Sequence, residues 1–167
     1  ATPLALAALN ANTDIDTTAA IVGLIPGSMG ETSIIAIGIG AAILLITGVA
    51  SWRIIFSVFA GGIATAMLFN SLGMSSLSVT DHLILGGFAF GAVFMATDPV
   101  TAARTEGGKY IYGALIGCVA IVVRVMNPGY PEGMMLAILL MNVCAPLIDW
   151  CIVERNVARR SRRALKK

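Results

Sequence analysis

Charge is what this sequence has least of. Aspartate, glutamate, lysine and arginine together make up 12% of its 167 residues, about half the share usual in a soluble domain. A freestanding water-soluble domain is thereby excluded. Cysteine is also scarce. Cys118, Cys144 and Cys151 all lie in apolar stretches, and no C-x-x-C spacing occurs. Neither a zinc ribbon nor an iron–sulfur cradle of ordinary spacing is indicated, and an odd count closes no disulfide framework. Buried small hydrophobes are the simpler reading, although Cys144 and Cys151 share a helix face. There is one histidine, His82, too few for a metal site and expected in a solvated loop. No Rossmann fingerprint, P-loop, nucleophile elbow or HExxH is present, so nothing points to NADH binding by this piece. No initiating Met or basic leader opens the chain, so no signal peptide is read. The abrupt start at Ala1 is what a fragment, or one half of something larger, would show.

What the chain does have is uninterrupted apolar sequence. Thr32–Trp52, Ile54–Thr80, Tyr110–Val123 and Gly133–Ile148 carry no charge, and 57% of all residues are apolar. A helix needs about 20 such residues to cross a bilayer core. The pattern predicts an all-α membrane protein with about five spans near 33–51, 54–70, 82–97, 109–126 and 133–153. A segment at 1–32 precedes the bundle at 33–153, and a basic tail at 154–167 follows it. Thr2-Pro3 favours a short helix over 2–12, with Thr2 as its cap. Residues 13–31 read as a loop, and Pro26–Ser33 is too rich in turn formers for a helix interior. The third span is short and glycine-rich, which suits a broken, tilted or re-entrant helix lining a cavity. Gly87/Gly91 and Gly113/Gly117 have the spacing that lets helices approach closely, although glycine is common in membrane helices anyway.

Seven of the eleven basic residues fall in the last thirteen positions. Such a tail reads as a cytoplasmic anchor on anionic lipid rather than a nucleic-acid site. Counting back puts Arg53, Arg104 and Lys109 inside and the segment with Thr2 and Glu31 outside. Arg124 then lies near an outer end, where it is expected to snorkel. An odd span count means that a duplicated partner half would be inverted, and inverted repeats build transport paths at their interface.

Acids inside membrane segments cost roughly 2.5–3.5 kcal/mol each. Asp98, in Ala96-Thr-Asp-Pro99, is either a turn residue or a cation group. Asp149 is flanked by apolar residues, and Pro146 frees a backbone carbonyl that could join it around a cation. Glu132 suits an N-cap. Phe90 and Phe94 lie one turn apart, which means packing or a hydrophobic constriction in a pore.

Several strings occur in order over nearly the whole chain: Ala1-Thr-Pro-Leu-Ala5, Pro26-Gly-Ser-Met-Gly-Glu-Thr-Ser33, Gly48-Val-Ala-Ser-Trp-Arg-Ile-Ile55, Leu85-Gly-Gly-Phe-Ala-Phe-Gly91, Phe94-Met-Ala-Thr-Asp-Pro-Val-Thr-Ala102 and Asn127-Pro-Gly-Tyr-Pro-Glu-Gly-Met-Met-Leu136. Together they resemble the C-terminal half of the B-type membrane component of the sodium-translocating NADH:quinone reductases. The related D-type component of Rnf complexes shares the Met-Ala-Thr-Asp-Pro and Gly-Glu-Thr-Ser elements. The resemblance implies FMN held by a phosphoester on Thr2. Of the family's motif Asp-x-x-Ser/Thr-Gly-Ala-Ser/Thr, only the final Ala1-Thr2 is present. It further implies one half of a urea-transporter-like inverted repeat in a bacterial inner membrane, with Thr2 periplasmic and the C-terminus cytoplasmic. The implied pump moves sodium with electrons passing from NADH to ubiquinone, alongside other subunits and a missing N-terminal half. Phe90 and Phe94 match its constriction, and Asp98 and Asp149 match acids along the ion path. Riboflavin and quinone contacts are implied mostly outside this piece. The rival readings are an Rnf-type pump component, a flavin-free channel half and a structural anchor.

Overall fold

The computed structural model describes residues 17–24, 26–28, 30–75, 77–127 and 132–164. The helix expected over 2–12, with Thr2, lies outside them. Regular structure among the described residues is entirely helical. A short helix, α1 (Thr17–Val22), interrupts what the sequence reads as a loop. Gly23, at φ 95°, ends it, and the Gly23 and Leu24 amides close back on the Ala19 carbonyl.

Five passes follow. In α2 (Ile34–Ile46) the Ser33 hydroxyl accepts from the Ala36 amide, and the helix stops short of its expected end before Gly48, at φ 74°. Then come α3 (Trp52–Ser71), and α4 (Val79–Ile84), which opens on a Ser78/Asp81 capping box. The third pass resumes as α5 (Phe88–Phe90), which runs straight into a π-helical turn (Gly91–Met95). Next is α6 (Glu106–Met126), which is capped by Thr105 and starts three residues before its expected start. The last helix, α7 (Met134–Ala164), carries the arginines of the expected tail in its own final turns. Three of these, α3, α6 and α7, are long and apolar enough to cross a membrane. At 13 residues, α2 reaches only about 20 Å.

Contacts fix the direction of each pass. Arg53 pairs with Glu106, and Trp52 meets the Tyr110 ring edge-on at 6.3 Å. Further along the same two helices, the Cys118 thiol reaches the Gly61 carbonyl. The two helices α3 and α6 are therefore parallel neighbours. Asp149 lies at the start of α6, Asn142 bonds Tyr112 midway, and Gly133 faces Val123 near its end, so α7 runs antiparallel to α6. Glu31, His82, Arg124 and Glu132 collect at one end of the bundle. Ala50, Thr97, Arg104 and Asp149 collect at the other.

The bundle is lipophilic outside, and its interior mixes large apolar side chains such as Phe88, Leu85 and Ile116 with small and polar ones. Ile39, Ile43 and Ile46 of α2, Phe56 of α3 and Leu139, Leu140, Val143 and Leu147 of α7 are exposed, whereas Ser57, Thr65, Thr97, His82 and Arg124 are buried. In lipid, packing rather than water exclusion holds helices together, and small residues let backbones meet. The α3–α6 seam works this way. A Cβ added to Gly117 would stand 2.2 Å from the Val58 carbonyl oxygen, and one on Gly61 would stand 2.3 Å from that of Ala114. The Gly113/Gly117 spacing read from the sequence thus lies in a real helix contact. Gly87 and Gly91 instead face Glu31 and Met134.

Gly117→Ala must push α3 and α6 apart, at a cost of about 1–3 kcal/mol, and should lower the thermal midpoint of the purified assembly. Gly38→Ala, where nothing lies within 4 Å of the added methyl, should leave it in place.

Candidate functional site

The third pass is where the backbone departs from a plain helix. After Ile84, Leu85 is extended, and Gly86 and Gly87 both take positive φ, at 65° and 63°. Only glycine does this cheaply. Gly87 also has no room for a side chain, since an added Cβ would stand 3.0 Å from the Glu31 carboxylate carbon. The chain then restarts as α5. Phe88 is buried, edge-on to Phe59 at 5.7 Å, with its ring against Gly62.

Phe90 and Phe94 stack at 5.0 Å between centroids, tilted by 42°. Both pack on the Ile37–Ala89–Val93 cluster that joins α2 to the third pass. The Phe94 ring lies so close to α2 that a Cβ on Gly40 would come within 2.5 Å of it. Phe94 sits in the π-helical turn, closed by the Ala96 amide on the Gly91 carbonyl at 2.8 Å. The Thr97 hydroxyl donates to the Val93 carbonyl at 2.6 Å. The aromatic pair is thus both packed and partly open, which fits a constriction as well as it fits a core.

At the end of the bundle that holds Glu31, the break is flanked by charge. Arg124 on α6 is 5% exposed, and its guanidinium donates to the carbonyls of His82, Leu85 and Gly86. It does not snorkel. It turns inward onto carbonyls that the stopped helix α4 leaves to be satisfied. His82 corrects its loop expectation too: it is 1% exposed within α4, with Nε2 at 2.8 Å from the Ser75 hydroxyl. The Glu31 carboxyl is held above the usual carboxylate range, first by burial and then by the negative charge of Glu132.

At the opposite end, Asp98 accepts from the Val100 amide and from the amide and hydroxyl of Thr101. The Thr101 hydroxyl, followed by the Val100 amide, holds the Asp98 carboxyl below its ordinary value. Asp149 reaches across to the start of α6. It accepts from the Arg104 amide at 2.7 Å, the Thr105 amide at 3.0 Å and the Thr105 hydroxyl at 2.6 Å. Both acids therefore organise the 96–105 loop, each in its own hydrogen-bond set. Beside them is an open cleft whose lining includes Arg53, Thr97, Arg104 and Lys109. No cluster of three His, Cys, Asp or Glu suited to a metal occurs among the described residues. Sequence reasoning singled out the aromatic pair and both acids, and it read Arg124 as a snorkelling residue rather than a buried one. The available signal was an arginine embedded in Val122-Val-Arg-Val-Met126, since an ionisable residue in a membrane helix needs a reason.

Two outcomes follow. Asp149→Ala strips three acceptor bonds from the entry to α6 and should lower stability by about 1–3 kcal/mol, read as a lower thermal midpoint. Because the Glu31 pKa is raised in the folded state, its contribution to stability is fully present below its unfolded pKa. That contribution is lost as pH rises through the folded value. Glu132→Gln should therefore lower the Glu31 pKa and lessen that loss, as measured by infrared titration of the carboxyl band.

The family model described as the NQR2, RnfD, RnfE family matches residues 1–158. The chain is 55% identical over 149 residues to the B-type subunit of the Na(+)-translocating NADH-quinone reductase of Chromohalobacter salexigens, and equally to that of Klebsiella pneumoniae strain 342. Both matches cover 86% of this chain and 36% of the relative. It is 53% identical over 146 residues to the protein of that name from Pseudomonas paraeruginosa, covering 84% and 36%. The chain thus spans about a third of the length of these curated relatives. With a match over almost its full length and an all-helical, lipid-suited fold, the chain belongs to the NQR2, RnfD and RnfE family.

Proposed function

We propose that this chain is part of a multi-pass subunit of a respiratory sodium pump in a bacterial inner membrane. It works with further subunits and the rest of its own subunit while electrons pass from NADH to ubiquinone. The observation that carries the reading is the broken third pass, with the Phe90–Phe94 stack in its second half. Irregular backbone at membrane depth belongs where a cavity or path runs, and an aromatic pair there can close it to water and ions. The relatives' shared name supplies the ion and the redox couple. It favours the quinone reductase over the Rnf-type pump.

The alternating passes support the orientation. Arg53, Arg104, Lys109 and the arginines late in α7 belong to one end, which is then cytoplasmic. Asp98 and Asp149 lie at that mouth, where their negative charge favours an arriving cation while they hold the loop. The opposite end carries Glu31 and Glu132.

Thr2, proposed to carry FMN as a phosphoester, lies outside the described residues, and its role rests on the family resemblance. When bound, the flavin supplies the electron-carrying chemistry. The helical bundle shapes and closes the path. Thr2→Ala should abolish covalent flavin. The intact mass of the subunit should fall by one FMN, and its in-gel flavin fluorescence should vanish. An unchanged mass difference would place the attachment elsewhere. A wild-type subunit that is dark after exposure to the flavin-attaching enzyme would favour a flavin-free channel half.

A further inference from the structure

The Gly86–Gly87 break has no side chain of its own to hold it. Two adjacent residues with positive φ are accessible to glycine, but glycine is also the residue least able to stay in one conformation. Three carbonyls, those of His82, Leu85 and Gly86, come free where α4 stops. All three accept from one guanidinium, at 2.5, 3.1 and 3.2 Å. That group comes from α6, which is packed against α3 along the glycine seam and is therefore a fixed support. A cation on the carbonyl end of a helix is also the favourable sign for its dipole. On the far side of the break, the Glu31 carboxyl lies over Gly87, at the start of α5. Glu132 lies within electrostatic reach of both Arg124 and Glu31. Phe90 and Phe94 follow three and seven residues after Gly87, on a half-helix whose starting point this arrangement sets.

We propose that Arg124 is the positioning residue of the ion path: by tying down the three carbonyls released at the Gly86–Gly87 break, it fixes where the second half of the third pass begins and hence where Phe90 and Phe94 stand. The proposal rests on the reading of those two rings as the constriction. It requires arginine rather than any cation, because a planar fork with five donors can serve three acceptors at once, whereas lysine offers a point charge on a flexible stem.

The test uses the whole assembled complex carrying Arg124→Lys or Arg124→Gln, with Phe94→Ala as a separate control. Two quantities are measured. One is hydrogen–deuterium exchange of the amides in 88–95. The other is sodium delivered per electron in sealed vesicles. Exchange in that segment should quicken about tenfold in Arg124→Lys and further in Arg124→Gln, with the α3–α6 seam unaltered. Sodium per electron should fall at least twofold in Arg124→Lys and more steeply in Arg124→Gln. Unchanged exchange in Arg124→Lys would overturn the proposal whatever the rings do. Faster exchange with an unchanged ratio in both arginine variants and in Phe94→Ala would retain the clamp but sink the constriction reading. Lost coupling in Phe94→Ala beside an intact ratio in Arg124→Gln would sink the positioning role. If neither arginine variant assembles, Arg124 is a folding residue and the proposal fails.

Discussion

Every backbone amide and carbonyl in this bundle has to find its partner inside the protein, because the surface around it is apolar and offers none. A continuous helix meets that requirement by itself. A broken one does not, and the third pass is broken. The Arg124 guanidinium on the His82, Leu85 and Gly86 carbonyls is the interaction that makes the break tolerable. It explains a buried arginine, a pair of left-handed glycines and a half-helix that restarts on schedule. The π-helical turn further on shows the same demand, met by the Thr97 hydroxyl on the Val93 carbonyl.

The rest of the scaffold supports that one irregular element. The pair α3 and α6 approach until glycine meets backbone, giving a wall from which Arg124 projects. A second wall is α7, held to α6 by Tyr112–Asn142 near the middle and by Asp149 at the end. The remaining face is α2, whose Gly40 admits the Phe94 ring. The break and the π-helical turn thus both lie in the pass that these walls enclose. The regular helices present isoleucine, leucine and valine outward. That division suits a protein in which rigid helices frame a path and one discontinuous segment shapes it.

Charge is sorted with equal economy. One end carries Glu31, Glu132 and the buried Arg124, with Glu132 close enough to Glu31 to disfavour its ionisation. The other carries Arg53, Glu106, Lys109, Arg104 and the two aspartates, most of them paired or hydrogen-bonded. Asp149 shows how a membrane acid can be costly and still be structural. Its oxygens take up the amides of Arg104 and Thr105 that open α6, which a carboxylate does better than any neutral group.

The sequence alone pointed to the all-helical, membrane-suited class and to the long apolar helices α3, α6 and α7. These follow from composition, run length and spacing, which are local properties. The glycine richness of 82–97 was likewise enough to anticipate an interrupted third pass. Only the tertiary structure decided that Arg124 turns inward, that His82 is buried and that Asp149 starts a helix 44 residues away from it in sequence. Each of these depends on which orphaned backbone group a distant side chain can reach, and that distance exists only once the helices have packed.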